Sequence, residues 1–221
     1  MEVYTQWHSW ARAEPELRGL VPAATCDVVA EAVTFAARYH GDQRRPTGAP
    51  YLEHLLEALE VLVRGAGVTD PDVLRAAVLH DVVEDTACTL EDVRREFGDR
   101  VASLVGWVTI PESGGDKGDR KAAKEAYLTG LRDAPDDAIL VKLADRVSNV
   151  QTLRNLSLSK QRDYYAQTVR YIMPLALSRK WFATWYRSWQ EEHQDLALQI
   201  RRERCDRPRR RAARSPASPG R

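Results

Sequence analysis

The stretch that most constrains this chain is VLHDVVEDT, residues 78–86, where four ionisable side chains interrupt an apolar run. The segment just before it, residues 74–79, reads LRAAVL and is typical of a buried helix. Buried carboxylates cost free energy unless they are paired or bind a metal ion. The stretch therefore predicts a fold in which apolar helices surround a cluster of charged groups, and this cluster is the first candidate for a functional site.

The spacing within this stretch indicates how the charged groups are arranged. His80 and Glu84 are four residues apart, so they share a face if a helix runs through the stretch. Asp81 and Asp85 have the same spacing. An imidazole beside carboxylates, with no thiolate nearby, suits Mn²⁺, Fe²⁺, Zn²⁺ or Mg²⁺. The alternative is a helix end that turns into solvent and is capped by Thr86.

A second polar stripe that could complete such a site lies at residues 138–153, AILVKLADRVSNVQTL. Polar side chains interrupt its apolar face at helical spacing, namely Lys142, Asp145, Arg146 and Asn149. Asp145 is the natural further carboxylate ligand, and the other three suit phosphate or sugar oxygens. A structural salt bridge from Lys142 or Arg146 to Asp145 is the alternative. The remaining nitrogen ligand is open between four histidines: His8, His40, His54 and His193.

Helical periodicity dominates the sequence, and it shows no alternating strand pattern and no Asn-Gly hairpin turn. We therefore expect an all-α fold, a compact helical bundle in one domain. One helix is expected to begin after Asp70 and run through VLHDVVEDT, and another to cover 180–203. The expected divisions are an N-terminal helical extension at 1–24, the main domain at 25–180, a C-terminal helix at 181–205 and a disordered basic tail at 206–221.

Composition restricts where such a protein works. No apolar run approaches the length of about 18 residues that spans a membrane, and the N-terminus lacks the pattern of a signal peptide. Three separated cysteines indicate a reducing compartment, so a cytoplasmic protein is expected. Residues 201–221 hold nine arginines, whereas the other 200 residues carry 24 basic and 30 acidic groups. The basic tail is either a solvated end without a specific role or a contact for nucleic acid or an acidic partner. The oligomeric state is not defined by the sequence.

Five segments together resemble the HD-domain phosphohydrolases, which share a histidine, a later His-Asp doublet and a distant aspartate. The segments are HGDQRR, GAPYLEH, AAVLHDVVEDT, FGDRVASLVGWVT and ILVKLADR, in the family's order. Within the family, the chain is similar to the hydrolase domain of the RelA/SpoT enzymes and to the Mesh-type small alarmone hydrolases. The resemblance covers residues 25–180 and implies the HD-domain helical fold.

The resemblance also implies a complete metal site. The family's first ligand follows Pro-Tyr and one or two further residues, which here selects His54 and not His40. Glu84 and Asp85 are implied to position and activate the attacking water. The metal is Mn²⁺ in the family, although the ligand types admit other divalent ions. The implied ligands are His54, His80, Asp81 and Asp145.

The implied reaction is removal of the 3′-pyrophosphate from guanosine tetra- or pentaphosphate, the alarmone of the stringent response. The expected substrate is thus a phosphorylated purine nucleotide, bound by Arg44, Arg45, Lys142, Arg146 and Asn149. A solvated loop is the alternative for the two neighbouring arginines. Hydrolysis of the adenosine analogues, an NADPH phosphatase and a non-catalytic nucleotide-sensing module stay open as other functions. Since only one helix and the tail follow residue 180, a hydrolase without a synthetase domain is expected.

Four positions depart from the family's usual pattern. Leu55 follows the ligand histidine where proline is usual, and Pro46 takes a position of the usual basic pair. Ser148 stands where an aromatic residue or histidine is usual, and Gln151 where arginine is usual. The metal ligands and the acidic pair are intact. We therefore expect the departures to lie where the nucleotide is held, and to affect the identity of the base and phosphates.

Overall fold

The structure is a computed structural model that describes residues 1–111, 114 and 116–202. Across these ranges the chain forms α-helices joined by short turns and has no strand, which confirms the predicted all-α fold. The tail expected at 206–221 lies outside the described residues. The helices are α1 (Trp10–Leu20), α2 (Ala23–His40), α3 (Leu52–Glu60), α4 (Pro71–Leu79), α5 (Val82–Asp85), α6 (Leu90–Val108), α7 (Lys117–Gly130), α8 (Asp136–Val150), α9 (Leu158–Gln167), α10 (Met173–Ala176) and α11 (Lys180–Glu192).

Helix α8 lies at the centre of the fold and packs against α3, α4 and α6. Most of its apolar side chains are buried, as expected for a helix surrounded by other helices, and Leu140 is partly buried. Helix α2 covers the other side of α4. Polar residues of α3, α4 and α8 are therefore brought together inside the bundle, where burial makes them costly unless they are paired.

The helix that was expected to run through VLHDVVEDT is interrupted, so that prediction is wrong. Helix α4 begins at Pro71, where the Asp70 side chain accepts hydrogen bonds from two backbone amides of the first turn. The His80 ring donates its Nδ1 hydrogen to the carbonyl of Ala77 at 2.7 Å. This side-chain bond competes with the helical backbone pattern, and at Asp81 φ is −101° and ψ −4°. The short helix α5 then begins at Val82.

Residues 1–9, which we call the N-terminal strap, are anchored to the bundle by buried side chains and backbone hydrogen bonds. Tyr4 and Trp7 are 2% and 0% exposed. The Gln151 side chain accepts from the Tyr4 amide at 2.7 Å and donates to the Tyr4 carbonyl at 2.9 Å. The Glu60 carboxylate accepts from the amides of Gln6 and Trp7 at 2.9 and 3.0 Å. The strap thus joins the ends of α3 and α8.

The C-terminal helix is also shorter than expected. Helix α11 buries Trp185 and Trp189 and ends at Glu192, so the prediction of one continuous helix over 180–203 is wrong. The break lies at His193, whose ring bonds to the Trp189 carbonyl at 2.8 Å, and residues 194–202 are helical again. Nowhere in the described part of the chain is a helix both long and apolar enough to cross a membrane.

Candidate metal centre and substrate cavity

Two histidines and two aspartates from three parts of the fold converge on one point. His54 lies on α3, His80 and Asp81 lie between α4 and α5, and Asp145 lies on α8. The two Nε2 atoms are 3.1 Å apart. Asp81 Oδ2 lies 3.3 Å from His54 Nε2 and 3.2 Å from His80 Nε2. Asp145 Oδ1 lies 3.4 and 3.6 Å from the same two nitrogens. The four ligands predicted from the resemblance are thus side by side.

The tautomer of each histidine follows from its other ring nitrogen. His80 Nδ1 faces the carbonyl of Ala77, which can only accept a hydrogen bond. His54 Nδ1 lies 2.8 Å from the hydroxyl of Ser148, and that hydroxyl donates its own hydrogen to Glu57. Both rings therefore carry a hydrogen on Nδ1. In the neutral rings, both Nε2 lone pairs point into the cluster.

Such a cluster requires positive charge at its centre, because two lone pairs and two carboxylate oxygens face each other there. Burial lowers the pKa of His54 and His80, but Asp81 and Asp145 outweigh burial and raise both above the ordinary value. Burial likewise raises the pKa of the two aspartates, and their cationic neighbours hold it well below the ordinary value. His54, His80 and Asp81 offer ligand atoms close enough for one ion. Imidazole and carboxylate donors with this orientation fit a divalent cation.

The acidic pair lies beside the cluster and lines the same cavity. Tyr51 donates its hydroxyl hydrogen to Asp81 or Asp85, whose Oδ2 atoms are 2.6 and 2.5 Å from it. Glu84 accepts from the amide of Ile110 at 2.9 Å, and burial of its carboxyl group raises its pKa. Tyr51 thus orients both a metal ligand and one member of the acidic pair. Sequence reasoning used Tyr51 only to locate the histidine and missed this role.

Three cations, Lys124, Lys142 and Arg146, line the same cavity as the acidic pair. Lys142 is buried and its Nζ lies 2.9 Å from Asp145 Oδ2, so the salt bridge considered from the sequence is present. Arg146 is also buried and lies over the ring of Tyr164 at 5.2 Å. Among the described residues, nothing accepts a hydrogen bond from its Nε or Nη1. Lys124 has a lowered pKa because of burial and because Arg146 and Lys142 repel its charge. Concentrated positive charge with unused donors suits an anion.

The cavity over the cluster continues into a second cavity. The first has a volume of about 160 Å³ and the second about 280 Å³, and Lys124, Asn149 and Tyr164 line both. Arg45 and the unusual Pro46 line the second cavity. The predicted substrate residues Arg45, Lys142, Arg146 and Asn149 are thus brought together. Arg44 lines neither cavity and donates to the Gly48 carbonyl at 2.9 Å, so the geometry does not support its predicted role.

Three departures from the family pattern lie away from the positions expected for them. Gln151 is buried and binds the strap through Tyr4, and it lines neither cavity. Ser148 is completely buried between His54 and Glu57. Only Pro46 borders the space available to a nucleotide. The expectation that all of these departures surround the nucleotide is therefore wrong for Ser148 and Gln151, and equally for Leu55, which is completely buried and lines neither cavity.

Fold and cluster together define a helical protein with a buried histidine–aspartate centre of the kind that holds a divalent metal. The HD domain family matches residues 32–178, and the chain belongs to that family. Among solved structures, the chain resembles one described as a metazoan ortholog of SpoT that hydrolyzes ppGpp. The TM-score is 0.67 at 28% identity, over 77% of this chain and 96% of that chain.

Curated relatives carry two kinds of name. The chain is 43% identical over 129 residues to the human guanosine-3′,5′-bis(diphosphate) 3′-pyrophosphohydrolase MESH1, covering 56% of this chain and 68% of that protein. It is 38% identical over 150 residues to the Aquifex aeolicus enzyme of the same activity name, covering 67% of this chain and 21% of that protein. It is 35% identical over 158 residues to a Streptomyces coelicolor GTP pyrophosphokinase, covering 71% of this chain and 18% of that protein. The chain thus spans only a small part of the bacterial relatives.

Proposed function

We propose that this chain is a metal-dependent hydrolase that removes the 3′-pyrophosphate of (p)ppGpp, and that the metal is Mn²⁺. The observation that carries the proposal is the convergence of His54, His80, Asp81 and Asp145 beside an acidic pair, in a cavity that cationic side chains also line. The printed activity of the human and Aquifex relatives supports the choice of substrate. We assign the activity to residues 25–180. The cytoplasmic location and the roles of the tail stay predictions.

The two connected cavities suit the two parts of such a substrate. The pyrophosphate is expected in the cavity over the cluster, where Lys124, Lys142 and Arg146 offset its negative charge. The nucleoside is expected in the second cavity, which Arg45 and Asn149 line. A domain with more acidic than basic groups needs this local positive charge to attract an anion.

The chemistry required of the protein is proton transfer and orientation. When bound, a divalent cation supplies Lewis acidity towards phosphoryl oxygen and water. Glu84 is the proposed proton acceptor, because it lines the cavity beside the cluster and the partial desolvation of its carboxyl group raises its pKa. Asp85 is held in place by the Tyr51 hydroxyl and orients the attacking water. Lys142 holds Asp145 in its place at the cluster.

The function is tested by incubating purified protein with ppGpp, ppApp and NADPH, each with Mn²⁺, with Mg²⁺ and with a chelator. We expect pyrophosphate release from ppGpp that depends on the metal. Release from ppApp or phosphate release from NADPH would transfer the assignment to those substrates. Tight nucleotide binding without any turnover would favour a sensing module.

The site assignment is tested with His80→Ala, which should abolish the release. The control is Glu125→Gln, an exposed residue of α7 that lines neither of the two cavities over the cluster. Hydrolysis by His80→Ala at the parental rate would contradict the site. Loss of activity in the control alone would also contradict it.

A further inference from the structure

Behind His54, on the side away from the cluster, four side chains form a continuous series of polar contacts between α3, α8 and the loop that precedes α3. His54 Nδ1 lies 2.8 Å from Ser148 Oγ, and Ser148 donates to Glu57 Oε2. Arg45 Nη1 lies 2.9 Å from Glu57 Oε1. We call these four residues the hydrogen-bond series. The metal chemistry described above uses only its first member.

The direction of each hydrogen bond in the series is fixed by chemistry. Glu57, paired with Arg45, is a carboxylate and can only accept. The single hydrogen of Ser148 is committed to that carboxylate, so the serine oxygen can only accept from His54. The hydrogen of the imidazole therefore stays on Nδ1, and the Nε2 lone pair stays directed at the cluster. If Ser148 instead donated to His54 Nδ1, the ring hydrogen would lie on Nε2 and face the cluster, and Ser148 would present only lone pairs to the Glu57 carboxylate.

Burial makes this arrangement rigid. Ser148 is 0% exposed, Glu57 3% and His54 4%, so water cannot readily replace any of the partners. A carboxylate this deeply buried is costly unless its oxygens are satisfied. Here one oxygen accepts from Ser148 and the other pairs with Arg45. Both oxygens of the Glu57 carboxylate thus have a partner, and the carboxylate is linked to the metal ligands through Ser148.

We propose that Glu57 is a positioning residue for the metal centre, which acts through Ser148 to hold His54 in the tautomer and orientation that bind a divalent cation. The proposal rests on the metal site of the proposed function. Partners behind metal-ligating histidines fix the ring and raise its basicity, and losing one weakens metal binding by about 10- to 100-fold. Arg45 belongs to the series and also lines the nucleotide cavity.

The test is calorimetric titration of Mn²⁺ into nucleotide-free protein at a fixed pH. The variants are Glu57→Gln, Ser148→Ala and the double variant. Each single variant should weaken Mn²⁺ binding by about 10- to 100-fold. The double variant should bind no more weakly than the weaker single variant, since both substitutions interrupt one series. The matched control is Glu53→Gln, one turn earlier on α3 and half-buried, which should bind as the parent does.

Unchanged Mn²⁺ affinity in Glu57→Gln, with a lowered melting temperature, would assign Glu57 to packing alone and overturn the proposal. Additive losses in the double variant would overturn the series as one path. If Ser148→Ala does not fold, Glu57→Gln decides alone. If the parent hydrolyses no alarmone but the variants bind Mn²⁺ more weakly than the parent, this inference is supported and the proposed substrate is refuted. A parent that binds no divalent metal refutes both.

Discussion

Gln151→Met should destabilise the protein without changing its site. Methionine has a similar length but removes both hydrogen bonds to the backbone of Tyr4, whose side chain is 2% exposed. Each buried group left without a partner costs about 1–3 kcal/mol, so the two groups of Tyr4 together should cost about 2–6 kcal/mol in the free energy of unfolding. For a chain of this length, each kcal/mol of lost stability lowers the melting temperature by about 2–4 °C, which gives a fall of about 4–24 °C.

Urea denaturation and thermal melting measure this loss. Hydrogen exchange at the Tyr4 amide should become faster in the variant, because the strap opens more often. Gln194→Ala, an exposed glutamine in the last helical segment, is the control and should stay within about 0.5 kcal/mol of the parent. The folded variant should keep its KM for the nucleotide. A raised KM with unchanged stability would refute the reasoning and return Gln151 to the nucleotide site.

Three further predictions concern the site. Glu84→Gln should abolish hydrolysis and leave Mn²⁺ affinity within about threefold of the parent. In the parent protein, a pH–rate profile should show kcat/KM falling as the pH drops through the raised pKa of Glu84. Arg146→Lys should raise KM about 10- to 100-fold, because a charge-assisted hydrogen bond contributes about 1.5–3 kcal/mol, and steady-state kinetics measure it. The pKa values of His54 and His80 are raised above the ordinary value for histidine. At a pH below these raised pKa values both rings are protonated, and the protons compete with the metal for the ring nitrogens. The rise in melting temperature on adding Mn²⁺ should therefore be larger at pH 8 than at pH 6; an equal rise at both would contradict the ligand assignment.

Periodicity was sufficient to predict the helices but not their interruptions. Apolar spacing located most helices, because one buried face repeats along each of them. At both breaks a histidine ring bonds to a backbone carbonyl three or four residues earlier: His80 to Ala77 and His193 to Trp189. Such a bond depends on the rotamer of one side chain, and spacing does not report it. Pro174 lies in the first turn of α10, which begins at Met173, a position where its missing backbone hydrogen is tolerated.

The site shows a similar division between what is local and what is distant in sequence. His80 and Asp81 were found from their own stretch, and the resemblance supplied His54. Contacts between distant segments were not foreseen, because nothing in a local pattern links positions 57 and 148 or positions 4 and 151. For the same reason Lys124 was missed, since it lies on a helix whose own pattern is that of a solvated surface. Gln151 was misread because its neighbours in sequence, but not its own side chain, face the cavity.

The buried bond between Ser148 and Glu57 has a consequence for how relatives differ from this chain. A phenylalanine, tryptophan or histidine side chain at position 148 has no hydroxyl to join the ring of His54 to a carboxylate at position 57. A glutamate at position 57 would then lose a hydrogen-bond partner for one of its oxygens in a site that excludes water. Among relatives, positions 57 and 148 should therefore change together. A variant in which only one of the two positions carries the residue of a relative should bind the metal more weakly than the parent.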